Sequence, residues 1–227
     1  MDFWIAADSQ LFILTRRPFD DPPQAGRPVL TVRPLHPDGT LGAPIFEVPD
    51  APRHVEYLEG GVRVTFVPLG PRPVIALMPD HQFVYGYTEQ LEVYRKPRNG
   101  TPQLLIRQEV PRVPITDAML EAYLKESGIT DPERIAFYRG IAPKYLPAFQ
   151  GLIADDRGRL WVAVNTPEAV ESGQTEYWVF ASDGQRQRKL RLDRVAYFYL
   201  IRQRTGYAIT ATDEGVQQIA VYLVEQP

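Results

Sequence analysis

The chain of 227 residues carries a formal net charge of -3, is 44% hydrophobic and 23% charged, and contains no cysteine. These proportions are typical of a folded globular chain, and the slightly acidic balance provides no overall basic field for binding nucleic acid. The absence of cysteine excludes disulfides and thiolate chemistry, and no run reaches the roughly 18 to 20 apolar residues that a membrane-spanning helix needs.

The first half of the chain contains two sets of short apolar runs, separated by turns that contain aspartate, asparagine and glycine. Such runs between such turns predict antiparallel strands joined as hairpins. The first set comprises residues 5–14 around Asp8, then 30–33, the turn at 38–39, and 45–48. The second set comprises residues 74–77, Asp80, 83–85, 91–94, the turn at 99–100, and 104–106. Residues 62–66 alternate between apolar and polar and predict one additional hairpin strand.

Residues 115–140 differ from the rest of the chain and predict a small helical insertion. Thr116 precedes a run with helical spacing and is suited to be an N-cap, and Gly128 suits its end. Residues 130–133 have the pattern of a capping box that opens a second short helix, which Gly140 ends. We expect the two helices to connect two sets of strands.

The second half of the chain repeats the strand pattern. Residues 149–192 contain four short runs with turns at 155–158 and 182–184. The runs at 196–200, 206–210 and 218–224 predict three more strands. Asp8, Asp80 and Asp156 take equivalent places at the openings of three of the units, and we interpret these aspartates as structural turn residues.

Repeated units of four short antiparallel strands are the sequence pattern of a β-propeller. The chain is therefore predicted to be all-β with a small helical insertion at 115–140, as a propeller-like array of about four antiparallel blades within one domain, 1–227. This array would be part of a six-bladed propeller, and an open array leaves strand edges at both ends.

Three segments carry a resemblance to a known family. Residues 68–73, 109–117 and 146–162 resemble the bacterial six-bladed β-propellers of NHL type. The resemblance implies six blades and a periplasmic or otherwise extracytoplasmic location, with a cytoplasmic location as the alternative. The sequence departs from the family because it supplies about four blades and shows no secretion signal. We expect either that an N-terminal part is missing or that the arc is completed in another way.

The loops that converge on the channel of a propeller are the usual place for ligands. The loop face is predicted to bind a polar ligand or a protein loop through Arg72, Tyr85, Tyr87, Glu89, Tyr145, Asn165 and Glu168. The alternative for Tyr85 and Tyr87 is that they only pack between blades.

A basic segment provides a second candidate surface. Its arginines are Arg186, Arg188, Arg191, Arg194, Arg202 and Arg204. Cations on an edge strand commonly prevent aggregation, and docking on an acidic partner or on lipid headgroups is the alternative.

Catalytic motifs are absent from the sequence, since it contains no nucleophile elbow, phosphate-binding loop or His-Glu-x-x-His helix. His36, His54 and His81 lie far apart in sequence and are interpreted as surface or turn residues. Propellers that resemble the gluconolactonase family hold a divalent ion in the channel, and the candidates for such a site are Glu89, Asn165 and Glu168 in loops. No metal or other cofactor is expected in the main interpretation.

The sequence therefore predicts a non-enzymatic binding or scaffold module that mediates protein–protein interaction, as an accessory subunit of an extracytoplasmic or membrane-associated complex. Protein partners, or a second copy, would cover the open blade edges or the loop face, and no nucleic acid or transmembrane segment of its own is expected. The alternative is a metal-dependent lactonase or hydrolase with a channel site. A sugar-binding propeller rests only on the exposed aromatic residues.

Overall fold

The structure is a computed structural model that describes residues 3–6, 8–16, 28–97, 99–193, 196–212 and 216–224. Within them it has seventeen strands and three helices. The strands form four antiparallel sheets in a ring, which we call blades I to IV, and one separate hairpin. The predicted β-propeller of about four antiparallel blades with a small helical insertion is confirmed. That residues 1–227 form one domain stays a prediction.

The strands follow each other across each blade from the ring axis outward. Blade I contains β1 (Phe3–Ile5), β2 (Leu11–Arg16), β3 (Val29–Leu35) and β4 (Phe46–Pro49). A separate hairpin of β5 (Arg53–Leu58) and β6 (Gly61–Phe66) follows. Blade II contains β7 (Pro73–Leu77), β8 (Phe83–Tyr87), β9 (Leu91–Lys96) and β10 (Gln103–Gln108).

The second half of the chain adds the helices and two more blades. The helices are α1 (Asp117–Glu126) and α2 (Pro132–Ile141). Blade III contains β11 (Phe149–Ala154), β12 (Leu160–Val164), α3 (Pro167–Glu171) between its middle strands, β13 (Thr175–Phe180) and β14 (Arg186–Leu192). Blade IV has three strands, β15 (Tyr197–Arg202), β16 (Thr205–Ala211) and β17 (Gln217–Leu223).

Side-chain caps begin the two longer helices. Thr116 is the N-cap of α1, as its sequence predicts, and its hydroxyl accepts a hydrogen bond from the Met119 amide at 3.2 Å. The capping box predicted at Thr130 is wrong by one residue. Asp131 caps α2 and accepts a hydrogen bond from the Arg134 amide at 2.9 Å, because Pro132 occupies the first turn and fixes the cap directly before it. No helix among the described residues is long and apolar enough to cross a membrane.

Apolar clusters join the blades in sequence. One cluster contains blade I side chains and Phe83 of blade II, a second lies between blades II and III, and a third lies between blades III and IV. All of β12 and β13 is buried, because blade III is covered on both faces. Full burial of a large apolar side chain contributes about 1.5 to 3 kcal/mol. These three junctions therefore hold the ring together.

The junction between blade IV and blade I differs from the other three. No apolar cluster joins these two blades among the residues described. The outer face of blade IV instead exposes Tyr199, Ile219 and Leu223 by 77%, 71% and 72%. In the part of the chain that the structure describes, blade IV is thus packed on one face only.

Candidate functional site in the central cavity

A cavity of about 960 Å³ runs along the ring axis, between the innermost strands β1, β7, β11 and β15. We call the end where these strands begin the start end, and the end where their first hairpins turn back the turn end. Arg72 and Pro73 lie at the start end, and His81, Asp156 and Arg202 lie at the turn end. Aliphatic and aromatic side chains form the wall between them.

The turn end is built from hairpin turns that an aspartate stabilises. The Oδ1 atom of Asp8 accepts a hydrogen bond from the Gln10 amide at 3.1 Å, and that of Asp80 accepts one from the Gln82 amide at 3.1 Å. The same arrangement occurs at Asp38, Asp155 and Asp183. The structural role predicted for these turns follows from their geometry, although Asp155 and not Asp156 stabilises the turn in blade III.

His81 has an unusual backbone for its residue type. Its φ is 63°, and the corresponding positions in other turns hold Gly158 with φ 75°, Gly184 with φ 87° and, in blade I, Ser9 with φ 65°. A side chain in the left-handed region costs of the order of 1 kcal/mol, which glycine avoids. Such cost at a residue that faces a cavity is a common feature of functional sites.

The imidazole of His81 lies beside a carboxylate of the neighbouring blade. His81 Nδ1 is 3.7 Å from Asp8 Oδ2, and both side chains are partly exposed. A carboxylate close to Nδ1 orients the imidazole ring. The pair therefore has the composition of a general base with its orienting acid.

Two further polar residues complete the turn end. Asp156 Oδ2 accepts a hydrogen bond from the Gln203 amide at 2.9 Å, which ties blade III to the first turn of blade IV. Arg202, directly before Gln203, also lines the cavity. Asp155 is not available for chemistry, because its buried carboxylate accepts hydrogen bonds from Arg159 Nε at 2.7 Å and from the indole nitrogen of Trp161 at 3.0 Å.

The start end has a hydrogen-bonded network of its own. Arg72 Nη2 donates to the Gln150 carbonyl oxygen at 3.2 Å, and the Tyr197 hydroxyl donates to the Gln150 side-chain oxygen. The Gln150 amide nitrogen donates to Asn165 Oδ1, and Asn165 Nδ2 donates to the Pro147 carbonyl oxygen at 2.7 Å. Burial raises the pKa of the Tyr197 hydroxyl, although the nearby Arg72 charge acts in the opposite direction.

The loop-face residues predicted from the sequence do not form one site. Tyr85, Tyr87 and Glu89 line a separate groove of about 310 Å³ between blades I and II. Tyr145 lies under Arg112, whose guanidinium carbon is 5.4 Å from the ring centre. Only Arg72 lines the central cavity, and Asn165 supports it indirectly through Gln150.

Tyr85 packs between blades, which is the alternative that the sequence analysis gave for it. Its ring stacks on Phe46 with ring centres 5.0 Å apart and on Tyr94 at 5.7 Å. Burial, with a smaller contribution from Tyr94, raises the pKa of its hydroxyl. Tyr85 therefore joins the blades, and its ring faces are occupied by these two neighbours.

The metal site considered at Glu89, Asn165 and Glu168 does not fit the residues present. No group of three or more His, Cys, Asp or Glu side chains converges in the described part of the chain. Asn165 uses both ends of its amide inside the protein, and Glu168 Oε2 lies 3.6 Å from Arg191. We derive no step through a metal ion.

The arginines of the predicted basic segment do not form one continuous surface. Arg186 lies 4.7 Å from the ring centre of Trp178, and Arg188 lies 5.3 Å from that of Trp161. Arg191 binds Glu176 of its own blade, whereas Arg202 and Arg204 belong to the first hairpin of blade IV. Arg194 lies outside the described residues. Docking of a partner on these cations stays a prediction.

His81, Asp8, Gln150 and Tyr197 were not predicted from the sequence as site residues. One signal for His81 was present, because Asp80 and His81 stand where other turns have aspartate followed by glycine, as at 38–39 and 183–184. The remaining residues come together only through the packing of different blades.

No protein-family model and no curated protein sequence matches the chain. Three similar solved structures are a gluconolactonase from Xanthomonas campestris, virginiamycin B lyase from Staphylococcus aureus, and the calcium-binding protein regucalcin from Agrobacterium tumefaciens. Their TM-scores are 0.42, 0.37 and 0.35, with identities of 17%, 10% and 14%. The matches cover 91%, 99% and 96% of this chain and 52%, 70% and 74% of the respective structures, so the chain spans about half the length of the gluconolactonase.

The fold defines the chain as a β-propeller protein, and the similar structures are β-propellers too. The resemblance to propellers is thus confirmed, whereas membership of the six-bladed NHL-type family is not. The prediction of a non-enzymatic binding or scaffold module is contradicted by the comparisons, because the similar structures include a gluconolactonase and a lyase. The predicted protein partners and the predicted extracytoplasmic location stay predictions.

Proposed function

We propose that the chain is a hydrolase that cleaves an ester or lactone at the turn end of its central cavity. The observation that carries this proposal is the His81 imidazole, which lines the cavity from a left-handed backbone position with Nδ1 at 3.7 Å from Asp8 Oδ2. An imidazole that a carboxylate orients is a suitable general base near neutral pH.

The proposed reaction uses three side chains of the turn end. His81 removes a proton from a water molecule as the water oxygen attacks the carbonyl carbon, and Asp8 stabilises the imidazolium that forms. Arg202, which lines the same end of the cavity, is the cation assigned to stabilise the negative oxygen of the tetrahedral intermediate. The carbon–oxygen bond to the leaving group then breaks, and the imidazolium returns the proton to the leaving alkoxide.

The test is hydrolysis of a panel of aldonolactones and alkyl esters by the purified protein and by His81→Asn. Asparagine tolerates the left-handed backbone but has no basic nitrogen. We expect kcat/KM to fall about 10² to 10⁴-fold in this variant, the usual contribution of a general base. Asp8→Asn should cause a smaller loss through the orientation of the ring.

Asp38→Asn is the matched control, since Asp38 stabilises an equivalent turn that does not line the cavity. It should leave kcat/KM unchanged. No turnover of any panel substrate, or equal rates for the wild type and His81→Asn, would refute the proposal.

We also propose that the chain is related to the NHL-type six-bladed propellers. The support is the resemblance of residues 68–73, 109–117 and 146–162. Fractionation of cells that express the native gene tests the extracytoplasmic location which that family implies. Recovery in the cytoplasmic fraction alone would contradict this location.

A further inference from the structure

Hydrogen bonds to Thr88 hold the backbone of Arg72 in place at the start end of the cavity. Its amide donates to Thr88 Oγ1 at 2.8 Å, and its carbonyl oxygen accepts from the Thr88 amide at 3.0 Å. Thr88 is only 1% exposed, so this backbone pair is well packed. The guanidinium is therefore presented from a rigid base.

The guanidinium itself has little to bind within the protein. It donates one hydrogen bond, to the Gln150 carbonyl oxygen at 3.2 Å, and no carboxylate of the described residues lies within ion-pair distance. A guanidinium has five N–H donors arranged to bind both oxygens of a carboxylate. Most of its donors thus remain for a ligand in the cavity.

The surrounding network keeps the neighbouring polar groups in place. Gln150 is fixed on one side by the Tyr197 hydroxyl and on the other by Asn165, which is 5% exposed. Burial raises the pKa of Tyr197, and Tyr197 therefore stays a neutral hydroxyl beside Arg72. An anion at Arg72 would meet no negative side chain in this network.

The wall between the two ends is apolar and accessible. Phe3, Ile5 and Leu200 line the cavity and are 62%, 64% and 46% exposed. Strand β7 connects the two ends through five residues, about 17 Å at the usual rise of a strand. A ligand that contacts both ends must therefore be elongated.

We infer that the cavity binds elongated aliphatic carboxylates, with the carboxylate on Arg72 and the chain along the apolar wall towards His81. This inference rests on the proposed function only for the reacting end, where it identifies the substrate as an ester that carries a distant free carboxylate. Monomethyl sebacate is such a compound, and dimethyl sebacate is its neutral counterpart.

Binding is tested by calorimetric titration of hexanoate, octanoate and decanoate, with decan-1-ol as the neutral probe. We expect the dissociation constant to decrease about fourfold for each added methylene, as apolar burial requires. Arg72→Gln should weaken decanoate binding at least about tenfold, the loss of a charge-assisted hydrogen bond, and leave decan-1-ol binding unchanged.

Arg107→Gln is the matched charge control, because Arg107 lies on the outermost strand of blade II and pairs with Glu92 at 2.8 Å. It should bind decanoate like the wild type. The inference is overturned by equal decanoate binding in Arg72→Gln, by decan-1-ol binding as tightly as decanoate, by no dependence on chain length, or by no saturable binding of decanoate.

The carboxylate site and the hydrolytic reaction can be refuted independently of each other. If carboxylates bind through Arg72 and monomethyl sebacate is not hydrolysed, the reaction is wrong and the binding site stands. If esters are hydrolysed through His81 with no preference for monomethyl over dimethyl sebacate, the carboxylate site is wrong.

Discussion

At the scale of single residues, His81 shows how a turn can carry a chemical group at a structural cost. The fold needs a left-handed residue at this point of the hairpin, as Gly158 and Gly184 show in equivalent turns. Histidine meets that need less well than glycine, and its ring gains only a partly exposed contact with Asp8 at 3.7 Å. Exposed pairs of this type contribute about 0 to 1 kcal/mol. Stability alone would thus select glycine.

We expect His81→Gly to be at least as stable as the wild type but inactive. The free energy of unfolding should stay constant or rise by up to about 1 kcal/mol, because the left-handed backbone no longer carries a side chain. Esterase activity should be lost in the same variant. Urea denaturation measures the first effect, and a loss of stability above about 1 kcal/mol would instead assign the imidazole a structural role.

At the scale of elements, blade III is held by a buried carboxylate. Glu176 is 1% exposed and accepts hydrogen bonds from Trp178 Nε1 at 2.6 Å, Arg191 Nε at 2.7 Å and Thr166 Oγ1 at 3.2 Å. Burial alone raises the pKa of Glu176, but these bonds outweigh it and hold the pKa below its ordinary value. The network connects β13 and β14 to the loop before α3.

The direction of this pKa shift predicts how stability depends on pH. Because the folded pKa is the lower one, the carboxylate stabilises the fold above the ordinary pKa of 4.5, and this contribution is lost as the pH falls through the folded value. Glu176→Gln should cost about 3 kcal/mol at pH 7 and should lose less stability than the wild type between pH 6 and pH 3.

Glu168→Gln is the control for that experiment. Its carboxylate is 69% exposed and lies 3.6 Å from the same Arg191, so its loss should cost less than about 1 kcal/mol. Denaturant titrations at several pH values measure both variants. An unchanged pH dependence in Glu176→Gln would contradict the role of this carboxylate.

The sequence predicted the secondary-structure elements better than the side-chain contacts between blades. Alternating apolar residues and aspartate turns are local patterns, and they identified the strands of all four blades and the N-cap at Thr116. The contact between His81 and Asp8 joins different blades, as does that between Gln150 and Tyr197, and no local pattern encodes such contacts. Glu89, Asn165 and Glu168 were grouped because all are loop residues, but Glu89 lines the groove between blades I and II, whereas the amide of Asn165 is used inside the protein.

At the scale of the whole molecule, three packed junctions connect four blades in a row. Each buried apolar cluster is shared by two neighbours, and no cluster of the described residues joins the last blade to the first. Stability in such a series is close to a sum of units and nearest-neighbour interfaces. A blade with one packed face should therefore open more easily than a blade with two.

Hydrogen exchange measured by mass spectrometry tests this order. Amides of β12 and β13 should exchange last, because both faces of their blade are covered. Amides of β17 should exchange first among the blade strands, with opening free energies several kcal/mol lower. Equal protection of β13 and β17 would show that the ring unfolds as one unit.

The uncovered side of blade IV also bears on how the cavity admits a ligand. Strand β15 forms one wall of the cavity, and among the described residues its sheet shares an apolar cluster with blade III only. A small outward swing of that sheet would widen the cavity along its whole length without breaking any other junction. An elongated ligand would then enter sideways, between blade IV and blade I, instead of through either end of the cavity.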